Sequence, residues 1–146
     1  MDIVRKLPTA PGNRVFMLAI TCFFSTWIKA EAYTQVKESH VISFIKRNIL
    51  TRFGVPAEIV CDNGTQFVSN KMNNVCAGNN KTLSAGAPKN PTTNGKDESS
   101  NKIVMGNLKR KLDEKAGKWT DELPFVLWAD RTTLKVAIGQ TRFSMV

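Results

Sequence analysis

A short apolar run is followed directly by a turn signal in the stretch Glu58-Ile59-Val60-Cys61-Asp62-Asn63-Gly64-Thr65-Gln66-Phe67. The run has the length and the β-branched content of a short buried strand. Asn-Gly after such a run is typical of a tight turn, and Asp is an ordinary residue at its start. The stretch therefore predicts a buried strand over residues 58–61 that ends where the acid Asp62 enters a turn.

Upstream of this strand, the sequence predicts three more strands and one helix. The strands are expected over residues 2–7, 15–20 and 23–28, because the second is a continuous apolar run and the third is rich in aromatic and β-branched residues. The helix is expected over Ser39–Phe53, with Ser39 as its cap and Gly54 as its stop. Its apolar residues recur at four-residue steps: Val41, Ile45, Ile49 and Phe53.

Downstream of the strand, helices dominate the prediction. A helix starts at Ser69 and runs through Cys76, and residues 78–97 form a polar, turn-rich segment. An amphipathic helix follows from Glu98 to about Ala116, and a last helix runs from Asp121 or Glu122 to Arg131 with Pro124 in its first turn. The order of elements predicts an α/β fold with one mixed central sheet flanked by helices, in a single domain over residues 1–146.

Composition narrows the class of protein. The 146 residues are 42% hydrophobic, and 21 Lys+Arg against 12 Asp+Glu give a formal net charge of +9. This length and apolar content suit one buried core and argue against a disordered chain. The charge favours a polyanionic partner such as nucleic acid, although basic domains also occur for solubility alone. No apolar run is long enough to cross a bilayer and no secretory signal is present, so we expect a soluble intracellular protein without a membrane partner.

The residues that carry other chemistries are scattered or missing. Three cysteines and one histidine stand singly along the chain, whereas a structural zinc site needs four close-set ligands. The sequence contains neither a P-loop nor a Gly-x-Ser-x-Gly motif. Zinc binding, P-loop phosphate binding and serine-hydrolase chemistry are therefore not indicated.

Three carboxylates stand out by position: Asp2 on the first strand, Asp62 at the exit of the buried strand and Glu98 at the start of the basic helix. Two of them have a simple structural explanation. Asp62 begins a turn, and Glu98 in the first turn of a helix complements the helix dipole. Asp2 alone carries no information. Only the combination of the three points to chemistry.

Two motifs in that combination resemble a known family. Residues 59–67 resemble the central signature of retroviral-type integrase cores, and Asn94-Gly95-x-x-Glu98-x-x-Asn101-Lys102 resembles the second signature. The 35 residues between Asp62 and Glu98 match the family's spacing. Further segments agree with the family: Leu7-Pro8, Phe24-Ser25-x-Trp27, Arg52-Phe53-Gly54-x-Pro56, Trp119-x-x-Glu122-Leu123-Pro124 and Trp128-Ala129-x-Arg131-Thr132-Thr133. The resemblance covers nearly the whole chain. These motifs resemble the integrase region of gypsy-type LTR retrotransposon polyproteins, of the kind abundant in plants.

The resemblance implies a fold, a reaction and a metal site. The fold is RNase H-like, and Asp2, Asp62 and Glu98 are both the catalytic residues and the ligands of two divalent ions, Mg²⁺ or Mn²⁺. Carboxylate oxygens suit such hard cations, and a pair of ions about 4 Å apart can activate an attacking hydroxyl and stabilise a leaving oxygen. The implied reaction is 3′-end processing and strand transfer during DNA integration by a polynucleotidyl transferase.

The resemblance also implies partners. DNA is expected as the substrate, both the ends of the retroelement and the target, with the nucleus as location and a homo-oligomer as the possible assembly. Residues expected at the nucleic acid are Asn63, Asn101, Lys102, Lys109 and Lys111. Asn63 also shapes the turn at Asp62, while Asn101 and Lys102 lie one turn beyond Glu98 on the same helix. For the lysines, a solvated helix face is an equally good interpretation.

Departures from the family pattern keep two alternatives open. Arg5-Lys6 replace a usual Gly-Pro, Cys22 replaces a common acid, Asp130 and Leu134 replace Tyr and Pro, and Asp97 adds an acid beside Glu98. The sequence also suggests truncation at the N-terminal edge of the first strand, which would loosen Asp2. The first alternative is a catalytically inactive retrotransposon remnant that keeps the fold and binds nucleic acid without turnover. The second is a generic interaction domain with incidental charge.

Overall fold

The computed structural model describes residues 1–5, 7–61, 74, 82–85, 91–136 and 139–146, with the side chains of 82–85, 91–101 and 135 outside the description. The chain divides into two compact units. One comprises Met1–Asp2 and Val36–Thr92, and the other comprises Ile3–Gln35 and Thr93–Val146. The expectation of a single core domain over residues 1–146 stays a prediction. Among the described residues, no helix is long and apolar enough to span a membrane.

Three strands begin the chain: β1 (Asp2–Val4), β2 (Phe16–Thr21) and β3 (Ile28–Tyr33), hydrogen-bonded in the order β1-β2-β3. β2 and β3 are antiparallel, with Phe16 opposite Tyr33 and Thr21 opposite Ile28. β1 and β2 confirm two predicted strands within a few residues. The predicted strand over residues 23–28 is wrong. Residues 22–27 form a tight turn instead, in which the Cys22 amide donates to the Trp27 carbonyl at 2.9 Å.

The larger unit buries one face of this sheet under two helices. They are α3 (Pro91–Asp113) and α4 (Trp119–Thr132), joined by a short 3-10 turn over Ala116–Lys118. Their buried residues recur at four-residue steps, as an amphipathic helix requires. The cluster contains Leu108, Leu112, Trp119, Leu123 and Leu127 from the helices with Met17, Ala19 and Ile28 from the sheet. Both helices were predicted, but α3 begins seven residues before Glu98. Pro91 can start a helix, because the first helical position needs no amide hydrogen.

The smaller unit contains the predicted helix in an altered form. α1 (Glu38–Ile45) is followed by a π-helical turn (Lys46–Leu50) and the short α2 (Thr51–Phe53). Buried Asn48 donates its Nδ2 to the Phe44 carbonyl at 3.2 Å inside this wider turn. Because a π turn shifts the register by one residue, the predicted stripe ends early, and Phe53 is exposed rather than buried. The helix cap is Lys37, not Ser39.

β4 (Glu58–Cys61) confirms the predicted buried strand and pairs in parallel with β5 (Thr82–Ala85). The prediction of a turn-rich segment over residues 78–97 is therefore wrong at β5 and at the start of α3. The predicted helix at residues 69–76 lies outside the described residues, except for helical Asn74. Near the C-terminus, β6 (Leu134–Lys135) and β7 (Gln140–Thr141) form an antiparallel pair that the sequence did not predict, followed by a 3-10 turn over Phe143–Met145.

Two glycines give opposite expectations for the same substitution. Gly54 ends α2 at a φ of +77°, which only glycine adopts without strain, and its missing side chain faces open space. Gly54→Ala should therefore lower the free energy of unfolding by about 1 kcal/mol through backbone strain alone.

Gly106 in the middle of α3 is the matched control, because it also faces open space but has helical backbone. Gly106→Ala should raise the free energy of unfolding by about 0.5–1 kcal/mol. Urea denaturation of the two variants measures both effects, and shifts of the same sign would contradict the assignment of strain to Gly54.

Candidate functional site

Asp2 is the one member of the predicted carboxylate triad whose side chain is described. It opens β1 and is half-buried. Immediately before it, the N-terminal amino group of Met1 donates to the carbonyl of Val60 at 2.6 Å. This hydrogen bond ties the start of β1 to the end of β4 within the smaller unit. Asp2 is thereby anchored beside the end of β4. Asp62 is the next residue in the sequence after this strand.

The other two acids are placed less completely. Asp62 and the adjacent Asn63 lie outside the described residues. Glu98 lies on α3, where only the backbone is described, as is also the case for Asn101. Because α3 is continuous from Pro91 to Asp113, the spacing of three and four residues places Glu98, Asn101 and Lys102 on one face of the helix.

The structure leaves the predicted metal site untested. No three His, Cys, Asp or Glu side chains within the described ranges stand close enough to hold a metal ion. The predicted triad depends on Asp62 and on the Glu98 side chain, which lie outside those ranges. Its donor set of three carboxylates has the chemistry that Mg²⁺ and Mn²⁺ require.

The three lysines of α3 that the sequence assigns to nucleic acid are exposed to solvent. Lys102, Lys109 and Lys111 are exposed, whereas Leu108 and Leu112 of the same helix are buried in the core. Burial of the two leucines leaves these three lysines in solvent, with Lys109 and Lys111 on different sides of the helix because they are two residues apart. This arrangement suits contacts with phosphates, and it is equally that of a solvated helix face.

Cys22 shows a perturbed environment that the sequence did not signal. Its thiol is free and exposed at the first position of the turn over residues 22–27. Partial burial would raise the pKa of this thiol, but hydrogen bonds from the Ser25 side chain and from the backbone of Ser25 and Phe24 outweigh it, so the pKa is lowered. Only the closeness of Ser25 in sequence could have indicated this, because the backbone contacts depend on the turn.

Asp130, one of the departures from the family pattern, also has a defined role in the structure. Its carboxylate forms an ion pair with Arg142, and both side chains are largely buried. The second carboxylate oxygen, Oδ2, is buried without a hydrogen-bond partner among the described residues. Sequence reasoning could not find this pair, because Arg142 carried no motif.

Comparison with known structures identifies the class of fold. The catalytic core domain of the integrase of BIV aligns with 99% of this chain and 90% of its own length, at a TM-score of 0.73 and 16% sequence identity. A chain of the simian T-cell lymphotropic virus intasome, solved in complex with a PP2A regulatory subunit, aligns with 97% of this chain and 55% of its own length, at a TM-score of 0.67 and 21% identity. The chain therefore has the α/β, RNase H-like fold of retroviral integrase catalytic cores, as the sequence predicted.

Sequence comparison then gives the family. The profile of the family described as "Integrase core domain" matches residues 1–91, more than half of the chain. This protein belongs to the integrase core domain family. Its relatives include the Gag-Pol polyprotein of avian reticuloendotheliosis virus, 28% identical over 88% of the chain, and the Transposon Tf2-3 polyprotein of Schizosaccharomyces pombe, 22% identical over 100% of it. The chain spans 11% of the length of each of these two polyproteins.

Proposed function

We propose that this chain is the catalytic core of a retrotransposon integrase, a polynucleotidyl transferase that trims the 3′ ends of element DNA and joins them to target DNA. The observation that carries the proposal is the anchoring of Asp2 beside the end of β4 by the Met1–Val60 hydrogen bond. In a member of the integrase core domain family, that bond supports a site that includes Asp2 and Asp62, because it brings the start of β1 to the end of β4, and Asp62 follows β4 in sequence.

The residues we assign to the site fit a pair of divalent cations. Asp2, Asp62 and Glu98 would hold Mg²⁺ or Mn²⁺ through carboxylate oxygens, the donors that these hard cations prefer. When bound, such ions neutralise charge on a phosphodiester and lower the pKa of an attacking hydroxyl. The chain's own contribution would be to hold the carboxylates: Asp2 belongs to β1, Glu98 belongs to α3, and Asp62 is the residue after β4 in sequence.

We assign the DNA contacts to α3 and to Asn63. Lys102, Lys109 and Lys111 are exposed on α3, and Asn101 shares the face of Glu98. Asn63 follows Asp62 directly. Exposed lysines attract phosphates without reading sequence, so they would hold element ends and target DNA alike. The proposal also places the protein in the nucleus as a homo-oligomer. Light scattering of the purified chain can test the oligomeric state.

Substitution of two of these lysines distinguishes contact with DNA phosphates from a helix face that is merely solvated. Replacing Lys109 and Lys111 together with glutamine should weaken DNA binding and lower the slope of log affinity against log salt by about 1.8, since each phosphate contact contributes about 0.9. Fluorescence anisotropy of a labelled duplex at several salt concentrations measures this. Lys46→Gln, an exposed lysine on the π-helical turn, is the control. An unchanged slope in the double variant would mean that the two lysines contact solvent and not DNA phosphates.

A DNA-binding protein without turnover is the second candidate, favoured by the extra acid Asp97 beside Glu98. A neighbouring carboxylate can draw a metal ion out of the geometry that the reaction needs. Strand transfer of a labelled duplex into a plasmid, with Mg²⁺ or Mn²⁺, tests the proposed function directly. Joined product supports the integrase core, whereas salt-dependent DNA binding without any joined product supports the second candidate.

A further inference from the structure

One arginine ties the C-terminal strap, defined as residues 139–146, to two other parts of the larger unit. Arg142 donates its Nε to the Thr26 hydroxyl at 2.8 Å and its Nη1 to the Asp130 carbonyl at 3.1 Å. The same Nη1 forms the ion pair with the Asp130 carboxylate. The Arg142 side chain is only 12% exposed. A single guanidinium thus joins the strap to α4 and to the turn over residues 22–27.

A second contact joins the strap to the same turn. The Phe143 ring lies 6.2 Å from the ring of Trp27, tilted by 44°. The Arg131 guanidinium of α4 lies 4.4 Å from the centroid of the Trp27 ring, and its Nη2 donates to the Ile28 carbonyl at 2.7 Å. Trp27 is therefore held by aromatic and cation–π contacts from the strap and from α4.

The turn that these contacts hold is strained. Thr26 adopts a φ of +54°, in the left-handed region that β-branched residues avoid. Its amide donates to the Cys22 carbonyl at 2.9 Å, and its hydroxyl donates to the Ser25 carbonyl at 2.7 Å while accepting from Arg142. A strained backbone persists only where its surroundings determine it. The hydrogen bond from Arg142 reaches the Thr26 hydroxyl from outside the turn and helps to hold it in place.

We propose that Arg142 is a clasp through which the C-terminal strap keeps the turn over residues 22–27 in its left-handed conformation, so that turn and strap open together. The device is independent of DNA and metal, and it goes beyond the proposed function. It also explains Asp130, whose carboxylate provides the charge that orients the guanidinium fork.

Cys22 provides a chemical reporter of the clasp. The hydrogen bonds that lower the pKa of its thiol come from Ser25 and Phe24 inside the same turn. Opening the turn removes them, so the pKa should rise toward the ordinary value for a thiol. Alkylation by iodoacetamide, read at Cys22 by peptide mass spectrometry, then needs a higher pH to reach half its maximal rate.

The test uses the full chain with Arg142→Gln and amide hydrogen exchange. We expect exchange to accelerate about tenfold or more both in the strap and at the amides of Cys22 and Thr26, because one charge-assisted hydrogen bond is lost. The alkylation midpoint of Cys22 should rise in parallel. Arg52→Gln, an exposed arginine on α2, is the matched control and should change neither readout.

A second variant separates the clasp from a general loss of packing. In the double variant Arg142→Gln with Thr26→Gly, glycine adopts the left-handed conformation without strain, so the turn should again exchange slowly while the strap remains open. If Arg142→Gln unfolds the chain, exchange accelerates in β2 and α4 as well, and Asp130→Asn then replaces it in both comparisons. Acceleration confined to the strap, with the turn and Cys22 unchanged, would overturn the proposal, as would a turn that stays fast in the double variant.

Discussion

Asp62→Asn is expected to abolish strand transfer while leaving DNA binding and folding intact. Asparagine has the size of aspartate but lacks the charge that a divalent cation requires. Loss of one such ligand should weaken stabilisation of the transition state by about 4 kcal/mol, which corresponds to a rate about a thousandfold lower. Asp2→Asn should have the same effect, because our proposal gives Asp2 an equivalent place in the site. Joining of a labelled element-end duplex to plasmid DNA measures the rate.

Asp121→Asn is the matched control for this experiment. Asp121 is an exposed acid on α4, and removing its charge changes the net charge of the chain by the same amount. Calorimetric titration with Mn²⁺ adds a readout that does not depend on turnover, since Asp62→Asn should lose metal binding and Asp121→Asn should keep it. Equal joining by Asp62→Asn and the unaltered chain would remove Asp62 from the catalytic site.

Sequence reasoning about the site depended on spacing along the chain. The apolar run before Asp62 is short and bounded by a turn signal, so the strand over residues 58–61 could be predicted and is confirmed. The position of Asp2 beside that strand could not be predicted from the residues themselves. It depends on a hydrogen bond from the amino group of Met1 to the carbonyl of Val60, 59 positions further along the chain, and these main-chain groups carry no sequence signature.

The errors in the fold have local causes. Residues 23–28 are aromatic and β-branched, yet the strand lies at Ile28–Tyr33, where apolar and polar residues alternate. Composition favoured the wrong segment because the alternation of β3 is built largely from alanine, a weak strand former. The π-helical turn depends on one buried side-chain amide, Asn48, and no periodicity over Ser39–Phe53 signals it. β5 is short and partly polar, so pairing with β4 rather than propensity determines it.

A departure from a family pattern can reflect a new ion pair rather than the loss of selection on the sequence. Asp130 replaces a usual tyrosine, and in isolation this substitution suggests a copy without selection. The structure pairs its carboxylate with Arg142 in largely buried surroundings. A buried acid without such a partner would be strongly unfavourable. The pair therefore accounts for an acid at this position of α4.

The largest expected effect on stability is at Trp119, the first residue of α4. Its side chain is fully buried in the core of the larger unit, and its Nε1 donates to the Pro8 carbonyl at 2.6 Å. Trp119→Ala should lower the free energy of unfolding by about 3–5 kcal/mol, because it opens a large cavity and leaves the Pro8 carbonyl without its donor. Domains of this size are typically stable by about 5–15 kcal/mol, so this loss removes a large fraction of the free energy of unfolding. Urea denaturation measures the change.

Two variants divide this effect into packing and hydrogen bonding. Trp119→Phe keeps most of the ring volume but not the donor, so it should lower the free energy of unfolding by about 1–3 kcal/mol, the effect of leaving an acceptor unsatisfied. Trp128→Ala is the matched control, because Trp128 lies on the same helix but is 65% exposed, and its effect should stay within about 0.5 kcal/mol. Similar losses for Trp119→Ala and Trp128→Ala would contradict a core centred on Trp119. Such a result would mean that the outer face of α4 is covered in solution.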